Sequence, residues 1–356
     1  MGKQQMKNSH LAIVLVALFT FLPAANTYAI QTQDAASASS YYQQGLEQLK
    51  ANQYNEAIKA FMAAIKLQPG EYRSYHSLGT AYHKLNRFAE AAEAYKEALR
   101  LKPDSAPTHD ALGGAYHKLG RWDESIKATR EAIRLDPKND DYYYNLGSSS
   151  LMAGRHAEAI EALKVLVSLR PDDVESYSIL ARAYMESGQP KEAIEPLKQI
   201  ARLQPNDVYS HGRLGAALAT AGVYRQAIES FKEVVRINPE NALGHKSLGS
   251  AYAMTGQYPQ AIATFKRSIE IKPSDSETHF LLAATYDKSQ QFKEAADLYR
   301  QFLVMKPDDS RGHYGLGRAL HRLGNRDGAM EQYAVLQVLD PDLAQQFLKE
   351  INGKAQ

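Results

Sequence analysis

The sequence predicts an all-α chain built from antiparallel helix pairs, and three observations predict it. Proline stands at 69, 103, 137, 171, 205, 239, 273, 307 and 341, an unbroken step of 34 residues. Between successive prolines, apolar residues recur at three- and four-residue steps, as one buried helix face requires. Each unit is interrupted once by Gly, Asn or Gln, at 52, 86, 120, 154, 188, 222, 256, 290 and 324.

Each unit is therefore read as two helices. The unit after Pro69 shows both, in "SYHSLGTAYHKL" (74–85) and "RFAEAAEAYKEALRL" (87–101). Glycine at the separator permits the positive φ that ends the first helix. The proline ends the second, because it lacks an N–H and restricts the residue before it. Small residues mark where paired helices touch: Gly45, Gly79, Gly113, Gly147, Ala181, Gly215, Gly249, Ala283 and Gly317 in the first helices, with Ala57, Ala91, Ser125, Ala159, Ala193, Ala227, Ala261, Ala295 and Ala329 in the second. One proline falls well inside a second helix, Pro196 in "KEAIEPLKQI" (191–200), and a bend or local opening is expected there.

These residues resemble the tetratricopeptide repeat, a 34-residue unit with W-x2-L-G-x2-Y, then A-x3-F, then P. Tyr75, Leu78, Gly79, Tyr82, Ala91, Tyr95, Ala98 and Pro103 stand at those places. Nine units are expected: 38–71, 72–105, 106–139, 140–173, 174–207, 208–241, 242–275, 276–309 and 310–343. Residues 30–37 read as a short polar lead-in and 344–356 as a C-terminal capping helix and tail, the helix itself visible in "DLAQQFLKEI" (342–351). The resemblance implies a right-handed superhelical solenoid with a concave groove. It departs from the pattern in two ways. The Trp place holds only Tyr or His, and the fourth unit has Ser150, Leu163 and Leu166 where Tyr, Phe and Ala are usual.

Residues 1–29 read as a secretory signal. Lys3 and Lys7 give a positive start, "LAIVLVALFTFL" (11–22) an apolar run and "PAANTYA" (23–29) a small-residue exit. Twelve apolar residues are short for a membrane span, which needs about 20. Cleavage before Ile30 is the leading expectation, with periplasmic or secreted location, and a retained membrane anchor the alternative. With Lys3 and Lys7 set aside, the 42 basic residues fall to the number of the 40 acidic ones. No electrostatic case for nucleic acid remains. The chain has no cysteine, which excludes disulfides, thiol catalysis and thiolate metal sites.

No catalytic motif stands out, and neither enzymatic activity nor a cofactor is expected. Tyr143, at the Trp place, is expected in the core, with Tyr142 and Tyr144 on other faces. His109, His211, His245, His279 and His313 share that place and are read as core or half-buried substitutes for Trp. His76, His83 and His117 form a weak cluster, more suited to partner contacts than to metal, so no metal site is assigned. By the resemblance, the groove would be lined by Arg73, His76, His83, Asp110 and His117 near the start. Tyr144, Asn145, Met152, Arg182, Met185, Tyr209, Arg213 and Lys246 follow. Phe280, Asp287, Arg311, Tyr314, Arg318, His321 and Arg322 line the end. Arg311, Arg318 and Arg322 form a basic end, either a solvated surface or a docking point for acidic groups. The reading is an exported, non-enzymatic scaffold for a protein or peptide segment. Its alternatives are a membrane-anchored assembly factor and a subunit presenting substrate to a separate enzyme.

Overall fold

The first helix, α1, spans 33–50, and the others follow in pairs: α2 (Tyr54–Leu67), α3 (Tyr72–Lys84), α4 (Phe88–Leu101), α5 (Ala106–Lys118), α6 (Trp122–Leu135), α7 (Asp140–Met152), α8 (His156–Leu169), α9 (Val174–Glu186), α10 (Ile194–Leu203), α11 (Val208–Thr220), α12 (Tyr224–Ile237), α13 (Ala242–Met254), α14 (Tyr258–Ile271), α15 (Ser276–Lys288), α16 (Phe292–Met305), α17 (Ser310–Arg322), α18 (Arg326–Leu339) and α19 (Pro341–Asn352). The structure, a computed structural model, describes residues 33–353, so the expected signal segment and the last three residues lie outside the described residues. Among the described residues there is no strand, and no helix is long and apolar enough to cross a membrane. The chain divides between Pro171 and Asp172 into two units, α1–α8 and α9–α19.

From α3 onward, each first helix opens on the first residue of its expected repeat, at 72, 106, 140, 174, 208, 242, 276 and 310. Asn139, Asp173, Asp207, Asn241 and Asp309 cap these starts, each side chain accepting a backbone N–H two or three residues ahead. The far ends close on the separators. At Gly120 (φ +70°), the Arg121 amide donates to the Tyr116 carbonyl at 2.9 Å and the Gly120 amide to that of His117 at 3.0 Å. This is the left-handed cap in which two orphan carbonyls are satisfied and the chain is turned at once into the next helix. The same pair of bonds recurs at every separator, including Asn52, Asn86 and Gln290, which also take positive φ.

Paired helices approach closely where side chains are missing. A Cβ on Gly79 would lie 2.6 Å from Cε1 of Tyr95, and one on Gly249 would lie 2.8 Å from Cδ1 of Phe265. The aromatic ring therefore occupies the space that a side chain would need. In the fourth repeat, Gly147 meets Leu163, and Leu163 and Leu166 are both fully buried, so two leucines fill the places of the usual aromatic and alanine.

The structure departs from the expectations at two places and follows one of them at a third. Helix α1 already covers 33–37, so the part of the lead-in that is described is helical; Ala35, Ala36 and Ala38 favour helix, and Ala38 is buried. Tyr142, not Tyr143, is the core residue: it packs with Ala106 and Ala132, while Tyr143 stays half-exposed and donates its hydroxyl to the Pro137 carbonyl at 3.1 Å. At the third, the expected opening at Pro196 is present. Helix α10 has only ten residues, where its counterparts have fourteen, and 190–193 form turns. Pro196 cannot donate to the turn before it, and its ring crowds that turn's carbonyl, so the helix starts late.

Candidate functional site

In the second unit, α15, α16 and α17 build a cleft of about 830 Å³. Its floor is aromatic. Gly315 makes the floor possible, since a Cβ there would lie 2.3 Å from Cζ of Tyr299, so the tyrosine ring rests against the α17 backbone. Phe280 meets that ring edge-on, with centroids 5.8 Å apart. Arg311 lies over Phe280 at 4.8 Å and is held by Asp309 at 2.8 Å and Glu277 at 3.4 Å. Arg318 sits between Asp287 at 3.6 Å and Glu350 at 3.3 Å. Tyr314 donates to Glu350 at 2.5 Å and accepts from Gln346 at 3.2 Å. Burial, and then the Glu350 carboxylate, push the Tyr314 hydroxyl up to about 12, and burial raises Tyr299 as well. Arg322 and Lys288, both exposed at the rim, have no carboxylate within salt-bridge distance among the described residues.

The first unit holds a smaller cleft of about 490 Å³ between α3, α5 and α7. It is polar, and most of its groups are already satisfied. Ser149 Oγ meets His117 Nδ1 at 2.9 Å and Ser125 Oγ at 2.8 Å, while the Tyr95 hydroxyl donates to Thr80 at 3.3 Å. Burial pushes Tyr95 up to about 12 and lowers His83 and His117, favouring neutral imidazoles. Asn145 Nδ2 donates to Asp110 Oδ1 at 2.8 Å. Tyr144 lines the same cleft.

A family model described as the Cilia and flagella-associated protein 70 C-terminal domain matches residues 17–246. Two models described as tetratricopeptide repeat match 218–285 and 280–344. The chain belongs to the tetratricopeptide-repeat family. Its architecture is thus that of a protein-interaction scaffold. Among solved structures, the C-terminal part of a TPR repeat-containing protein from Cytophaga hutchinsonii is 19% identical, with a TM-score of 0.54, over 69% of this chain and 99% of that one. That likeness shows the fold. MamA from Desulfovibrio magneticus RS-1 is 24% identical over 48% of this chain and 96% of its own, with a TM-score of 0.46. PilF of Pseudomonas aeruginosa is 20% identical over 59% and 97%, with a TM-score of 0.45. No curated protein matches.

Within the tetratricopeptide repeats, the expected groove residues fall into three groups. Phe280, Asp287, Arg311, Tyr314, Arg318 and Arg322 converge on the larger cleft, and His83, Asp110, His117, Tyr144 and Asn145 on the smaller. The rest stand outside both clefts. Met152, Met185 and Tyr209 are exposed, Arg182 reaches Glu186 at 3.7 Å, Arg213 reaches Ser178 at 3.5 Å and Lys246 pairs with Asp275 at 3.0 Å. Arg73 is engaged with Tyr72, and His321 is half-buried beside Arg322. His76 turns away from partners, bonding Thr108 at 3.0 Å and packing on the Tyr95 ring. His76, His83 and His117 therefore do not converge.

The basic end is mostly paired within the chain. Its own helix carries no opposing acid at a groove position, but Asp287 of α15 and Glu350 of α19 face Arg318, and Asp309 and Glu277 hold Arg311. Only Arg322 remains unpaired among the three. The histidines at the Trp place also do more than fill space. His109, His211, His245 and His313 each point Nε2 at the proline carbonyl six residues earlier, at 2.7 to 3.0 Å, and so latch the turn between repeats. His279 is instead buried and faces the Asp275 carbonyl. A His or Tyr six residues after each proline from Pro69 to Pro307 was the available signal. Tyr299, Phe292 and Lys288 also line the larger cleft without having been singled out. Tyr299 comes from a second helix, and the groove expectation considered first helices alone.

Proposed function

We propose that the chain is an exported, non-enzymatic scaffold that holds an extended segment of a partner protein against its first helices. The cleft of the last two repeats is its principal anchor. One observation carries this reading: an aromatic floor of Phe280, Tyr299 and Tyr314 lies beneath a rim on which Arg322 and Lys288 carry no internal counter-charge. An apolar side chain of the partner would cover the rings, where aromatic contacts are most valuable. An acidic neighbour would reach the rim cations through charge-assisted hydrogen bonds.

Site-specific photocrosslinking tests it. p-Benzoylphenylalanine in place of Arg322 or Phe292 is expected to trap a protein partner in cells. The same group in place of Val304, exposed on α16 and outside the cleft, is expected not to. Crosslinks from position 304 with none from 292 or 322 would overturn the reading. Export rests on the pattern of residues 1–29, and N-terminal sequencing of the cellular protein tests it. A start at Ile30 supports cleavage, while full-length chain in washed membranes supports a retained anchor and an envelope assembly role.

A further inference from the structure

The two clefts treat their carboxylates differently. In the second unit the acid that lines the cleft, Asp287, has a cation in Arg318. Asp110, in the first unit, has none within salt-bridge distance among the described residues, although Lys118 lines the same cleft. Among the described residues its only side-chain partner is the amide of Asn145, which takes one oxygen and leaves Oδ2 without a hydrogen bond. A carboxylate drawn partly out of water without a counter-ion is held at a cost that a cation would offset. Burial raises the Asp110 carboxyl, and nearby Asp141 adds to that rise.

The shape of the free acceptors narrows the ligand. Asn145, having turned its NH2 to Asp110, keeps Oδ1 as an acceptor, and the Ser148 hydroxyl lines the same wall. Gly114 lines the same cleft, and a Cβ there would meet nothing within 4 Å, so the cleft is open beside it. An ammonium carries three donors that can be shared among separate acceptors. A guanidinium pairs best as a bidentate fork on both oxygens of one carboxylate, and the Asn145 amide on Oδ1 competes with that geometry.

We propose that Asp110 and Asn145 form a receptor for a lysine side chain of the partner segment, so that the first-unit cleft captures a basic residue. This rests on the groove reading above.

The test uses the full chain with carbon-13 at aspartate carboxyls. Titration with N-acetyl-lysine methylamide is expected to shift the Asp110 signal saturably. N-acetyl-norleucine methylamide, of similar length and uncharged, is expected to leave it in place, and N-acetyl-arginine methylamide to bind about tenfold more weakly than lysine. Asp110→Asn, isosteric and still able to accept from Asn145, is expected to fold with unchanged helical content. It should also abolish the lysine-dependent shifts of neighbouring amides in cleft residues. Asp104→Asn, an exposed acid in the preceding turn, is the control for bulk electrostatics and should leave those shifts intact. Equal responses to lysine and norleucine, stronger binding of arginine, or lysine shifts that persist in a folded Asp110→Asn chain would each overturn the assignment. Crosslinks retained at positions 292 and 322 alongside such a result would leave the groove reading standing and remove only the lysine receptor.

Discussion

The two clefts are made from the same repeat positions, and their chemistry is opposite. In the first unit, helices α3, α5 and α7 present serines, neutral histidines, Lys118 and one carboxylate that no cation reaches within salt-bridge distance among the described residues. In the second, α15 and α17 present phenylalanine, tyrosine and arginine, with acids distributed to meet two of the three arginines. A wall also differs: α19 lines the second cleft with Leu343 and is seated on α17 by Phe347, whose ring lies 2.5 Å from where a Gly317 Cβ would stand. The lesson is that helix pairing is dictated by the small residues between paired helices, while the outward face of each first helix is free to vary. One backbone can then carry a polar, acceptor-rich site and an aromatic, cation-rimmed one.

The harshest way to break this comparison is to remove the wall. Phe347 is fully buried, and Phe347→Ala is expected to cost about 3–5 kcal/mol, the range for deleting a buried ring. Hydrogen exchange should show α19 opening and Tyr314 losing its Glu350 partner, with amides of the first unit keeping their protection. Uniform loss of protection across both units would show that the clefts are not independently supported.

A gentler pair of variants asks the same question with one substitution in two places. Gly315→Ala puts a methyl against Tyr299, which must move, and overpacking of this kind costs about 1–3 kcal/mol. Gly114→Ala puts a methyl into open space within α5, where replacing a mid-helix glycine is worth about 0.5–1 kcal/mol of stability. Urea melts should therefore move in opposite directions. If both variants destabilise, the open space beside Gly114 is not what the structure describes.

The pairing of helices was legible because its rules are local. Proline, left-handed separators and small contact residues act within a few residues of themselves, so repeat starts at 72 through 310 follow from the 34-residue step. The late start of α10 followed from Pro196 for the same reason. Charge pairing was not legible. Glu350 lies 32 residues from Arg318, in a helix whose rotation over α17 is fixed by Phe347, and nothing in the spacing of the arginines announces it. The exchange of Tyr143 for Tyr142 in the core has a similar cause. The proline carbonyl at 137 offers the hydroxyl of Tyr143 a partner near solvent, and the third place of the repeat turns Tyr142 toward Ala132.

The smallest expected effect belongs to Asp110 and is a matter of sign. Burial raises its carboxyl in the folded chain above the unfolded value, so the folded state binds that proton more tightly than the unfolded state does. The resulting penalty is absent below the ordinary carboxylate range and grows as pH rises through it. It is fully present once pH exceeds the raised folded value. Asp110→Asn removes the titrating group and keeps the hydrogen bond to Asn145. The variant is therefore expected to melt slightly above the parent at neutral pH, with the gap closing as pH falls toward the ordinary carboxylate range. In the other cleft Asp287 faces Arg318 at 3.6 Å, and Asp287→Asn removes that ion pair, so the variant should melt below its parent at neutral pH. Melting curves of the two variants at neutral pH settle the comparison: an Asp110→Asn chain less stable than its parent there would mean that this carboxylate has a counter-charge after all.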